Sequence, residues 1–327
     1  MTIYFSTATQ GRAMISGPLA DAVQTLLNRK GARLVVDGRF GPASARAMND
    51  WQTGSGFPVS ATFLEDEWQS LSTLGPLTAF DRVLNPTVAF EGTYFTGAVG
   101  AFDSGGLTWG ILGFTLSSGA PEQLFSDIEI RAPGLIAGIF GDEYDQMMQA
   151  LPLRGQAAVD WAKTISTGAN NTRLIDPWAG HFSALGNQGA AKSVQMDHAF
   201  ATWFGRAVGY LSRYMSGRQV SLLDIAFWFD VAVQTGVSSA VSADLLAVDT
   251  AGLDNAACRA AFAQVIANHA AAQWRNDVLS RKMTFATGRG TVHGAVYDLA
   301  DWGITDEVVP TPDAETRPVL SVMFAAS

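Results

Sequence analysis
The chain has 327 residues, 48% of them hydrophobic and only 16% charged, with a formal net charge of −9. A chain of this length buries a large core and has room for about two domains, and its acidic balance argues against a nucleic-acid partner, because that affinity is carried by lysine and arginine neutralising phosphates. No apolar run approaches the roughly 18–20 residues of a membrane span, and a single cysteine, Cys258, excludes an internal disulfide and a thiolate metal cluster.

The four histidines show no HExxH-like spacing, and the sequence holds no phosphate-binding GxxxxGK loop, no GxGxxG and no GxSxG elbow. Neither a metal nor a cofactor is expected. The start, MTIYFSTATQGRAMISG, lacks the charged, apolar and small-residue pattern of a secretory signal. Synthesis in the cytoplasm as a monomer without membrane insertion is the expectation.

In chain order, Val23, Leu26 and Leu27 fall at helical spacing, and Gly31 stops that helix. The stretch LVVDGRFGP reads as an extended piece entering an Asp-Gly turn, with Pro42 and Ser44 opening a second helix that carries Ala47, Met48 and Trp51 on one face. The order V-Q-x-L-L, then G-x-x-L-x-V-D-G-x-F-G-P, then Trp51-Gln52, resembles the type 1 peptidoglycan-binding domain over roughly residues 15–73. The resemblance implies a small three-helix wall-binding module, residues 1–73, with Asp37, Gly38, Phe40 and Trp51 as its characteristic positions. Asp37 also reads as a turn residue bonded to its own backbone. Where that family has a second DG turn, this chain has FPVSATFLEDEWQSL, in which Trp68 and Leu71 fit the end of the module.

Residues 74–79 are small and turn-forming and read as a linker. Leu77, Phe80, Val83 and Leu84 then predict a helix that Pro86 ends or kinks, with TVAFEG resuming one more turn before Gly92. Glu91 therefore falls at a helix C-terminus, at the negative end of the dipole and beside Phe90, a placement that suits a proton donor. Asp103 lies in FDSGGLTWG, where Gly105 and Gly106 predict a hairpin-like bend, leave room for substrate and open the aspartate to solvent. An acid and a base in unlike surroundings are what glycoside hydrolysis requires. Thr108 could hold the attacking water, and Trp109 could stack on a sugar ring.

The pattern D-x-x-G-x-T-x-G-I-x-G-F, Asp103 to Phe114, resembles the active-site segment of the family 46 chitosanases and, more loosely, the phage-type lysozymes. The resemblance spans residues 80–307. It implies a larger lysozyme-like α domain with a small β hairpin, Glu91 as general acid, Asp103 as general base, and Asp230 paired with Arg275 or Arg281 beneath the cleft. The remaining segment, 308–327, has three prolines and reads as an extended tail.

The expected function is an inverting glycosidase acting on bacterial peptidoglycan, a muramidase-like endolysin or antibacterial lysin, delivered to the wall by a holin or a dedicated secretion route. A chitosanase, whose cationic polymer suits an acidic protein, and a non-catalytic wall-binding protein are the alternatives.

Overall fold
A computed structural model describes residues 2–312 and 314–327. The fold is mainly α, as expected, and its strands are short antiparallel pieces. Strand β1 (Ile3–Ser6) pairs with β2 (Thr62–Leu64), and between them run α1 (Pro18–Arg29) and α2 (Pro42–Ser55). Each of these helices starts on proline, at a position whose N–H would have no helical partner. Helix α3 (Glu65–Ser72) begins with Glu67 accepting the Leu64 N–H at 2.7 Å, and its buried Trp68 donates to the Gly75 carbonyl at 2.9 Å. The β1–β2 pair is an addition to the three expected helices. Strands of three and four residues are too short for an alternating pattern to declare itself.

Helix α4 (Ala79–Glu91) continues past Pro86 and does not end there. Proline removes the N–H that would bond the Arg82 carbonyl, and the Asn85 side chain supplies the substitute, donating to the Arg82 and Asp81 carbonyls at 3.1 and 2.7 Å. The same amide's oxygen accepts the Leu19 N–H at 2.8 Å, tying α4 to the start of α1. Gly17 is required at that junction, because a Cβ there would stand 2.8 Å from Asn85 Oδ1 and its φ is +121°.

Past Gly92 come β3 (Ala98–Val99), β4 (Thr108–Trp109) and β5 (Phe114–Thr115), a three-stranded sheet in that order. Helices α5 (Ala120–Arg131), α6 (Leu135–Phe140), α7 (Tyr144–Ala150) and α8 (Gly155–Thr164) follow. A hairpin of β6 (Ser166–Thr167) and β7 (Arg173–Leu174) then leads to α9 (Trp178–Gly186) and α10 (Gly189–Ala199). Phe125, Phe140 and Phe182 form an aromatic core here, with ring centroids 5.4 to 6.4 Å apart.

A π-helical turn, Phe200–Phe204, opens the next stretch: α11 (Gly205–Tyr214), α12 (Leu222–Gln234), α13 (Ser239–Leu246), α14 (Asn255–His269) and α15 (Arg275–Thr287). Strands β8 (Arg289–Val292) and β9 (Ala295–Asp298) close it as a hairpin. The chain ends in α16 (Val319–Ala325), which corrects the extended tail expected over 308–327. The prolines stop at Pro318. Beyond it Leu320, Met323 and Phe324 recur at helical spacing and are buried, a period too short to stand out in sequence.

The chain divides into two units: the residues to Phe90 with Phe200–Val319, and Glu91–Ala199 with Leu320–Ser327. Within the first unit the segment between β1 and α1 is bound directly to the distant hairpin region. Arg12 pairs with Asp301 at 2.7 and 2.9 Å, the Ala13 N–H bonds the Val296 carbonyl at 2.7 Å, and the Trp302 indole bonds the Ser16 carbonyl at 3.3 Å. No helix among the described residues is long and apolar enough to cross a membrane.

Candidate active site
Glu91 is the last residue of α4, half-buried, and Gly92 ends the helix in the left-handed region at φ +68°. The residue before it is firmly held. Phe90 is buried, meets Phe285 and Tyr297 edge-on at 5.1 and 4.6 Å, and has the Arg281 guanidinium 5.5 Å from its ring centroid.

Arg281 is in turn fixed by Asp230, which it grips through Nε at 2.9 and 3.1 Å and through Nη2 at 2.7 Å. Lys282 also bonds Asp230, at its backbone oxygen (2.9 Å) and at its carboxylate. Burial opposes ionisation of this carboxyl more strongly than any other single influence. The two adjacent cations together outweigh it and hold Asp230 below the usual aspartate range.

Of the two arginines expected for Asp230, Arg281 is the partner and Arg275 is not. Six residues of helix turn through about 600°, so the two side chains leave α15 about 120° apart. Arg275 is exposed and, among the described residues, reaches only the Asn268 carbonyl, at 3.5 Å. Lys282 carried no sequence signal, because neighbours in a helix ordinarily point to different surroundings.

Asp103 lies at the tip of the β3–β4 connection, exposed as expected. Its Oδ1 accepts the Gly105 N–H at 2.8 Å, a local turn that fixes the carboxylate over the loop. Both flanks of the loop are anchored by glycines. A Cβ at Gly100 would lie 2.3 Å from Ser166 Oγ and from the Asn171 carbonyl, and one at Gly106 would lie 3.2 Å from the Ala158 carbonyl of α8. Gly106 is buried, so the space it leaves is filled by α8 and not by a substrate, a correction to its expected role. Gly105 stays half-exposed. A Cβ on it would be 3.0 Å from both Asp103 Oδ1 and Thr115 Cγ2, which brings the carboxylate close to Thr115.

Thr108 begins β4, pairs with Val99 on one side and Thr115 on the other, and is half-exposed on that face of the sheet. Trp109 must then face the other way, because successive strand residues alternate. It is 0% exposed and packs at 5.8 and 5.9 Å on Phe125 and Phe182. The expected sugar-stacking tryptophan is therefore a core residue.

Two residues of this region had no sequence signal. Thr115 sits beside Thr108 across the sheet. Gln195, fully buried on α10, accepts the Ile111 N–H at 3.0 Å and donates to the Phe95 carbonyl at 3.1 Å. It clamps the turn after β4 so closely that a Cβ at Gly110 would stand 2.4 Å from its oxygen.

In the N-terminal helices the expected positions divide. Asp37 bonds the Arg39 N–H (2.9 Å) and Gln24 (3.0 Å), the Gly38 N–H bonds Gln24 (3.0 Å), and Phe40 is buried against Phe5 at 4.8 Å. These three build the turn, Gly38 and Phe40 buried in it and Asp37 exposed on it. Trp51 is half-exposed, stacked on Phe57 at 5.4 Å, and lines a groove of about 720 Å³ with Lys30, Arg33, Arg46 and Asp50. No family model matches the chain, and no curated protein matches it.

Proposed function
We propose that the chain is an inverting glycoside hydrolase that cuts the glycan strands of bacterial peptidoglycan. The observation that carries this reading is the run from Glu91 to Thr115. A carboxyl ends a helix, a second stands at the exposed tip of a loop whose glycines lie close against their neighbours, and two threonines share the open face of the sheet beside it. One carboxyl is half-buried and the other exposed, the unlike environments that an acid and a base need.

In this reading Glu91 gives its proton to the glycosidic oxygen as the bond to the anomeric carbon breaks. Asp103 takes a proton from a water that attacks the same carbon from the opposite face, and Thr108 accepts or donates a hydrogen bond to that water. The products are a hemiacetal of inverted configuration and a free hydroxyl on the leaving sugar. Asp230, Arg281 and Lys282 act as positioning residues through Phe90.

The N-terminal groove supports the wall as the substrate. Three cations and a tryptophan face suit acidic stem peptides and sugar rings better than a polycation. Docking there would raise the local substrate concentration for the catalytic segment.

The test is digestion of purified peptidoglycan and of chitosan by the wild type and Glu91→Gln, with reducing ends identified by mass spectrometry. Muramic-acid ends that appear only with the wild type are expected. Release from chitosan alone would make the protein a chitosanase, and release from neither would leave a binding protein.

A further inference from the structure
We propose that the groove between α11 and α13 is a binding subsite for an anionic saccharide. It encloses about 680 Å³ and is lined by Arg206, Gly209, Tyr210 and Arg213 on α11 and by the serines at the start of α13. Arg206 and Arg213 are two helical turns apart, about 10.5 Å along the axis, with Tyr210 between them on the same side. Both arginines are exposed. Arg206 makes no ion pair or hydrogen bond among the described residues, and the Arg213 guanidinium lies 5.7 Å from the Tyr214 ring centroid. No acidic side chain lines the groove, although the chain as a whole carries −9. Local positive charge against the sign of the molecule draws anions, and the guanidinium fork matches a carboxylate or phosphate in two-point contact.

Gly209 is an independent indication. It stands in the middle of α11, where glycine weakens a helix relative to alanine. No neighbour needs its missing side chain, since a Cβ built there has no heavy atom within 4 Å. Gly205, one turn earlier on the same helix, is equally open, so this face of α11 leaves room for a ligand to cross between the two arginines. The other wall supplies hydroxyls. Tyr214 donates to Ser242 at 2.8 Å, Ser238 caps the Val241 N–H at 3.3 Å, and Ser239 has no side-chain hydrogen bond among the described residues. Hydroxyls, a half-exposed tyrosine ring and paired arginines fit a sugar bearing carboxylate or phosphate better than a neutral or cationic polymer.

The test is calorimetric titration of the full chain with three probes: a soluble peptidoglycan disaccharide with its stem peptide, a glycerol-phosphate oligomer, and diacetylchitobiose. At least one anionic probe binds in preference to chitobiose. Its affinity falls about tenfold or more in the double variant Arg206→Glu, Arg213→Glu, as expected for lost charge-assisted contacts. Gly209→Leu, which fills the groove on an unstrained helical backbone, gives the same loss with an unchanged or raised melting temperature. The anionic probe that responds identifies carboxylate or phosphate as the group read. Equal binding of all three probes, or variants that bind like the wild type, would overturn the subsite. Binding is read apart from Glu91-dependent cleavage, so either can fail without the other.

Discussion

Asp103 and Asp230 are positioned by opposite means. Asp103 is exposed, accepts the Gly105 N–H of its own loop, and owes its place to Gly100, where a Cβ would collide, and to Gly105 and Gly106, where one would be crowded. Asp230 is wholly buried and owes its place to charge, with Arg281 and Lys282 closing on it from α15. A carboxylate set by backbone packing keeps its oxygens accessible, as the proposed role of Asp103 requires. One that only braces its surroundings can be enclosed, and its removal then costs stability in place of chemistry.

The largest expected effect is therefore chemical. Glu91→Gln and Asp103→Asn each lower kcat by about 10²- to 10⁴-fold, the ordinary worth of general acid or base catalysis. Neither shifts the melting temperature much, since Glu91 is half-buried and Asp103 exposed. A comparable loss of stability in Asp103→Asn would erase the contrast with Asp230.

Asp230→Asn comes next and acts in the other currency. It leaves Arg281 and Lys282 buried without their carboxylate and costs about 3–5 kcal/mol of unfolding free energy. Its pH dependence follows from the sign of the shift. The folded carboxyl lies below its unfolded value of about 3.9, so its contribution is complete above that value and is lost as pH falls through the folded pKa. Urea midpoints of the wild type measured from pH 5 downward should fall below about pH 4, and the variant should lose that part of the slope.

Gln195→Leu ranks third. The change strands the Ile111 N–H and the Phe95 carbonyl in the core and costs about 1–3 kcal/mol. Because Gln195 clamps the turn after Thr108, kcat should also fall, while wall binding measured by co-sedimentation stays as in the wild type.

The parts of this arrangement that were legible in the sequence are those declared by single residues. Gly92 marks the end of α4, Gly105 and Gly106 mark the bend at Asp103, and Pro42 marks a helix start, because each is a residue whose backbone chemistry admits few alternatives. What was illegible depends on distance or on very short elements. Gln195 lies 84 residues from Ile111, and no local pattern reports such a bond. Lys282 converges with Arg281 on one carboxylate from adjacent positions, which helix geometry alone does not suggest. The two-residue strands β3, β4 and β5 are below the length at which alternation can be read, so nothing local in the sequence tells that Trp109 faces the core and not a sugar ring.

Trp109 supplies the smallest and sharpest test. Its indole N–H is buried with no hydrogen-bond partner among the described residues, so Trp109→Phe removes an unsatisfied donor while leaving a gap against Phe125 and Phe182. The two effects oppose, and the net cost should be about 1–2 kcal/mol, less than truncating a well-bonded tryptophan. A stacking residue would behave differently, because losing a sugar platform raises KM with little change in stability. If Trp109→Phe raises KM and leaves the melting temperature unchanged, the alternation of β4 is wrong and Thr108 faces the core in its place. A modest drop in melting temperature at constant KM fixes Thr108 on the open face beside Asp103, where a water-holding hydroxyl has to be.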